Sequence, residues 1–283
     1  MKKNILLILV LGVLLTLAIR LSSFGTGKSD FLAYWSAAHL FVSGGNPYDQ
    51  NEMRFVEQSV SADTINLGDI VINAWNPPWL ILIFAPLGAL HYLTAFSVWI
   101  FCNTVLIGLV LLLSWQMCTY AKDSRGILAI FVAGFLFGTT ISYLAIGQIS
   151  VLVLVGMILS IWWLDRQKDL LAGVILILSI IKPQISFFFL LLLIIWVIKE
   201  RRWKVFAGFG VTTFISLIVF WALDPGWVKD YVTLIRNLPY TSTYTSTIGS
   251  FIASIFNTRI FYFSGVLLVL LIKPILQILE NGL

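Results

Sequence analysis

The sequence predicts an all-α fold, a polytopic bundle of transmembrane helices with one large loop outside the membrane. Three observations predict it. Of 283 residues, 59% are hydrophobic and 11% charged, whereas a soluble domain is about one-quarter charged. Mean hydropathy is +0.97. Apolar runs near the roughly 20 residues that cross a hydrocarbon core recur from end to end. A soluble fold is excluded, and 1–283 reads as a single integral membrane domain.

The net charge of +5 does not point to nucleic acid, because Lys and Arg are scattered between apolar runs and form no basic face interleaved with aromatics. Cytoplasmic retention of basic loops explains the excess better. Cys102 and Cys118 lie in one apolar run, which supports neither a disulfide framework nor a zinc site.

Met1-Lys2-Lys3 followed by apolar Ile5 to Ile19 has a secretory-signal layout without a small-x-small cleavage site. It reads as an uncleaved first helix, about 4–22, leaving a cytoplasmic N-terminus. The segment from about 22 to 75 is then external. It holds Asp30, Asp49, Glu52, Glu57, Asp63 and Asp69 against Lys28 and Arg54, six acids and two bases for a net of −4. Arg166 and Lys168, then Lys199, Arg201, Arg202 and Lys204, mark cytoplasmic loops. Two apolar hairpins, about 127–164 and 170–198, turn at Gly147-Gln148 and at Lys182-Pro183-Gln184, both on the external side. A helix over about 205–223 leads to Asp224-Pro225 and a polar stretch with Tyr240 and Tyr244; an apolar run over 260–279 follows. Residues 79–120 read as a short piece, Trp79 to Leu90, re-entrant if the Lys122 to Arg125 turn is cytoplasmic, and one long piece. About eight or nine membrane segments result.

The external loop opens with a helix-forming run from Asp30 to Phe41, stopped by Gly44-Gly45-Asn46-Pro47-Tyr48-Asp49. At about 100° per residue, Asp30, Tyr34, Ala37 and Phe41 share a face of an interfacial helix. Asp30 is suited to capping that helix. His39 falls on the other face, so no Asp–His pair forms within the helix; it and His91 read as ordinary interfacial polar residues. In Trp75-Asn76-Pro77-Pro78-Trp79 two prolines fix a helix entry between two indoles. Those indoles suit an aromatic belt or a sugar-contacting rim. Lys182 lies between Ile181 and Pro183 with no acid near in sequence. A cation at such depth either snorkels to the headgroups or marks a site, for instance for a phosphate. Gln148, in the parallel turn, offers neutral hydrogen bonds. No Asp-x-Asp, Gly-rich phosphate loop or Gly-x-Ser-x-Gly elbow occurs, so neither a metal nor another cofactor is expected.

The ordered set Asp30-x3-Tyr34-Trp35-x-Ala37-Ala38, Gly44/Gly45-Asn46-Pro47-Tyr48-Asp49, Asn76-Pro77-Pro78, Gly147-Gln148, Lys182-Pro183 and Arg201-Arg202-Trp203 resembles glycosyltransferase family 87 over about residues 28–260. The resemblance implies a GT-C type transferase, a multi-pass helical enzyme. It would move a sugar, mannose- or arabinose-like, from a polyprenyl-phosphate carrier to an external glycan or glycolipid acceptor, with Asp30 matching the base. Family members usually run longer, so a minimal member or a piece is expected. Asp30 as base and Lys182, with Arg236, as phosphate ligands suit such chemistry. Tyr34, Trp35, Tyr48 and Trp75 suit stacking on sugar faces, with Asp49, Asn76, Gln148 and Gln184 as further substrate contacts. A single base without a nucleophile implies inversion, and the setting is a plasma membrane with its lipid as surroundings. A lipid-linked sugar transporter or flippase, or a non-catalytic membrane subunit, is the alternative reading; the two hairpins carry no convincing sequence repeat of the kind transporters show.

Overall fold

In a computed structural model, residues 29–61, 72, 75–118 and 124–237 are described, apart from the side chains of 61, 124 and 125. The expected first helix, Asp63 and Asp69, the turn at 119–123, the polar stretch after 237 and the last apolar run lie outside these residues. The chain divides into two units, Met1–Val228 and Lys229–Leu283.

Among the described residues all regular structure is helical. In order the helices are α1 (Asp30–Ser43), α2 (Gln50–Ser61), α3 (Pro78–Gly88), α4 (Tyr92–Met117), α5 (Ser124–Leu136), α6 (Gly138–Ala145) and α7 (Ser150–Asp165). They continue with α8 (Asp169–Ile175, extended by a 3₁₀ turn over Leu176–Ile180), α9 (Pro183–Lys199), α10 (Lys204–Leu223) and, running into the second unit, α11 (Trp227–Asn237). α4 and α10 are long and apolar enough to cross a membrane, and α5 with α6, bent by 55°, makes a third if the pair is one broken span. α3, α7, α8 and α9 are apolar but shorter; the 11 residues of α3 rise about 16 Å, half a hydrocarbon core. Phe214, Ile215 and Trp221 on α10, and Phe187 and Leu192 on α9, are exposed, as suits a lipid-facing surface.

α1 differs from the interfacial helix expected. α1 is buried nearly all round, from Phe31 to Ala38 and again at Leu40, because its apolar residues occupy every face and small Ala37 and Ala38 let neighbours close in. Phe31 meets the rings of Phe84, Tyr92 and Phe96 at centroid distances of 6.2, 5.8 and 5.3 Å. His39 Nδ1 lies 2.9 Å from the Gly88 carbonyl oxygen. α2 is the amphipathic helix of the loop, burying Met53, Val56 and Glu57 and exposing Asn51, Glu52, Phe55 and Gln58.

Helices α8 and α10 pack through a glycine pair. A Cβ on Gly173 would sit 2.1 Å from the Val205 carbonyl oxygen, and one on Gly208 would sit 2.2 Å from that of Leu170. Only hydrogen at both positions lets α8 and α10 touch backbone to backbone. Leu164, Ala172, Leu176, Leu193, Val197 and Val205 form the core beside them.

Candidate active site

Asp30, Gln148 and Lys182 each stand at the start of a helix, and the fold brings the three starts together. Ser29 is the N-cap of α1, its Oγ accepting the Leu32 N–H at 3.3 Å. This corrects the capping expectation for Asp30. Asp30 follows as the first helical residue, and its carboxylate is not needed for the cap. Gln148 precedes α7, and Lys182 immediately precedes α9, which opens on Pro183.

The Gln148 amide is the hub. Its Nε2 donates to Asp30 Oδ2, and its Oε1 accepts from Lys182 Nζ, from the Tyr34 hydroxyl at 2.9 Å and from the Ile149 N–H at 2.9 Å. An ammonium only donates and a carboxylate only accepts, so these partners fix which way round the amide lies. Asp30 and Lys182, both half-buried, make no direct ion pair; the neutral amide spaces them, and they attract each other across it. Among the described residues Lys182 spends one of its three N–H groups, on Gln148, and Asp30 spends one oxygen. Each therefore keeps bonding capacity in a partly dry setting, where charges act strongly.

Backbone geometry holds the turn under this hub. Gly147 takes φ +65°, and a Cβ there would sit 2.6 Å from that of Phe31, so only glycine fits. The carbonyls of Ile146, Gly147 and Gln148 are taken in succession by Phe31 N–H at 3.2 Å, Trp99 Nε1 at 2.8 Å and Asn103 Nδ2 at 3.3 Å. The Tyr143 hydroxyl accepts the Val151 N–H in the first turn of α7. Asn76, buried ahead of Pro77-Pro78, donates to the Ile181 carbonyl at 3.3 Å. A fourth helix start, that of α3, is thereby tied one residue from Lys182. Helix starts carry a positive end potential, so the cluster favours an anion beside Lys182.

The structure thus joins Asp30, Tyr34, Gln148 and Lys182, with Asn76 beside them. It does not bring every expected residue along. Trp35 is buried, its Nε1 bonded to the Leu90 carbonyl at 3.1 Å and its ring stacked on His39 at 4.8 Å. Tyr48 is buried in the turn before α2, where its N–H reaches Asn46 Oδ1 at 2.9 Å. Asp49 caps α2, with Oδ1 accepting the N–H groups of Asn51 at 2.8 Å and Glu52 at 3.0 Å. Trp75 is half-buried, Gln184 is exposed one residue past Pro183, and Arg236 lies in the last turn of α11, in the second unit. Trp99 and Asn103 were not anticipated. Asn103 is the one asparagine within Tyr92–Met117, and a carboxamide inside a spanning helix is the signal that could have found it.

No curated protein and no solved structure matches the chain. The model of a family described as Glycosyltransferase family 87 matches residues 75–278. Trp75, Asn76, Gln148, Lys182, Gln184 and Arg236 fall inside that stretch; Asp30, Tyr34, Trp35, Tyr48 and Asp49 precede it. The match covers well over half of the chain, and with its apolar helices the protein is a membrane-embedded glycosyltransferase belonging to glycosyltransferase family 87.

Proposed function

We propose that the enzyme moves a mannose- or arabinose-like sugar from a polyprenyl-phosphate carrier to a hydroxyl of an extracytoplasmic glycan or glycolipid, with inversion and with Asp30 as the base. The observation that carries the reading is the hub: a carboxylate and a cation held apart by the Gln148 amide, each with unspent bonding capacity. A glycosyl phosphate already has a leaving group, so what it needs is a base and positive charge. Asp30 takes the acceptor's hydroxyl proton as that oxygen bonds the anomeric carbon. The bond from that carbon to the phosphate oxygen breaks, and its electron pair leaves on the phosphate. Lys182 and the positive end of α9 meet the departing charge. No metal or cofactor enters the reaction. Trp75 and Gln184 form the rim, with Tyr34 deeper.

The setting proposed is the plasma membrane, with the N-terminus cytoplasmic, about eight or nine membrane segments and the site external. The acidic loop supports this, as do the basic turns at Arg166 to Lys168 and Lys199 to Lys204, which lie at the opposite ends of α7 and α9 from Gln148 and Lys182.

The test reconstitutes the protein in liposomes with radiolabelled polyprenyl-phosphate mannose or arabinose and an acceptor. Wild type is compared with Asp30→Asn at equal folded amounts. Ser29 remains to cap α1 in the variant, so folding is spared. A loss of about 10²- to 10⁴-fold is expected for a missing base. Equal transfer by both proteins removes Asp30 from that role. Carrier lipid crossing the bilayer without transfer by either favours a flippase.

A further inference from the structure

We infer that Asn103 is a positioning residue for sugar transfer, acting through Gln148; this rests on the reading of Asp30 and Lys182 given above. Asn103 is fully buried within α4, the longest apolar helix among the described residues. An amide there is costly unless its groups are bonded, and a leucine of similar volume would suit hydrocarbon better. The neighbouring hydroxyls return to their own helix, Ser97 to the Leu93 carbonyl at 2.7 Å and Thr104 to that of Ile100 at 2.9 Å. Asn103 instead reaches a carbonyl 45 residues away, that of Gln148. Its Oδ1 has no partner among the described residues, so the amide is half satisfied, which is a poor arrangement for stability alone.

The direction of the bond explains it. Trp99, one helical turn before Asn103, takes the preceding carbonyl, and Phe31 N–H takes the one before that. Three successive peptides of the turn are therefore pinned, two of them from α4. The Gln148 backbone cannot shift without breaking these bonds, and the side-chain amide it carries sets the spacing of Asp30 and Lys182. Asn103 touches neither charge, so its contribution is geometric: it holds base and cation where the reacting atoms meet them.

The experiment uses the full chain in liposomes with radiolabelled polyprenyl-phosphate mannose or arabinose and an acceptor, comparing Asn103→Leu, Asn103→Gln, Thr104→Val and Asp30→Asn. Asn103→Leu is expected to stay folded, with kcat down about 10- to 100-fold through misplacement and donor KM within about twofold of wild type. Asn103→Gln, which keeps the N–H donor, recovers part of the rate, and Thr104→Val behaves as wild type. Wild-type kcat in folded Asn103→Leu overturns the inference. So does an equal loss in Thr104→Val, or a raised KM with kcat unchanged. Where Leu prevents folding, Asn103→Thr, too short to reach the carbonyl, is read in the same way. Wild-type transfer by Asp30→Asn removes the underlying reading and the inference with it. Loss in Asp30→Asn beside wild-type kcat in Asn103→Leu removes the inference alone.

Discussion

The hairpin helices have polar ends of two kinds. Where α7 and α9 begin, the charges of Asp30 and Lys182 are kept apart by the neutral amide of Gln148. Where the same helices end, Arg202 closes directly on Asp169, and its Nη2 also donates to the Leu164 carbonyl at 2.9 Å and to Gln167 Oε1 at 3.2 Å. Its guanidinium lies 5.1 Å from the Trp196 ring centroid. Arg202 meets a carboxylate directly, whereas Lys182 meets a neutral amide. A charge that holds helices together is closed on its counter-charge; one that serves a substrate is placed and held off from it.

Lys182→Gln tests this contrast most strongly. Losing the cation should lower transfer by about 10²- to 10³-fold, the usual scale for one preorganised electrostatic partner. Thermal stability should stay within about 1 kcal/mol of wild type. Melting in detergent and initial rates per folded molecule measure both. A stability loss with undiminished transfer would put Lys182 in the same class as Arg202.

Glu57 on α2 is a third case, a carboxyl away from the hub. It is buried and accepts the Ile72 N–H at 3.0 Å, and burial pushes its pKa from 4.5 up to about 7. Between those values the folded protein keeps a proton that the unfolded chain releases, so stability falls as pH rises through this window and levels off above it. At about 1.4 kcal/mol per pH unit the fall is at most about 3 kcal/mol. Glu57→Gln should flatten the profile and raise stability at pH 8, read by melting from pH 4 to 8. A slope unchanged in the variant would assign it to other groups.

Arg202→Gln comes next. Removing one partner from a buried pair costs about 3–5 kcal/mol; with side chains 12% and 15% exposed, solvent screening brings this to about 2 kcal/mol. Transfer per folded molecule should not change. Loss of rate without loss of stability would break the comparison between the two ends.

How much of this was legible depended on how unusual each residue was in its surroundings. A lone lysine between Ile181 and Pro183, or a glutamine after Gly147, stands out in an apolar hairpin, and the hairpin turns fall where expected. Their convergence through one amide was not legible, because it depends on contacts 114 and 118 residues apart along the chain. Aromatic residues are ambiguous for another reason: Trp35 and Tyr48 have the same amphipathic character at a sugar-binding rim as in a core, and burial alone separates the two. Ser29 was overlooked as the cap because Asp30, beside it, is an equally good cap by type. Asn103, a carboxamide in an apolar helix, was legible in the same way as Lys182.

Asp49 shows that a carboxylate in the acidic loop can be wholly structural. Its Oδ1 accepts two N–H groups at the start of α2, which resembles the closed end of the hairpins more than the hub. Asp49→Ala should cost about 1 kcal/mol, while Asp49→Ser, which removes the charge and keeps a capping oxygen, should cost only a few tenths, about 0.3 kcal/mol. Both should transfer sugar at the wild-type rate per folded molecule. A substrate ligand would behave otherwise: Ser would restore stability without restoring affinity, and KM would rise in both variants. The pair therefore separates a cap from a sugar contact, because serine keeps the capping oxygen but not the charge.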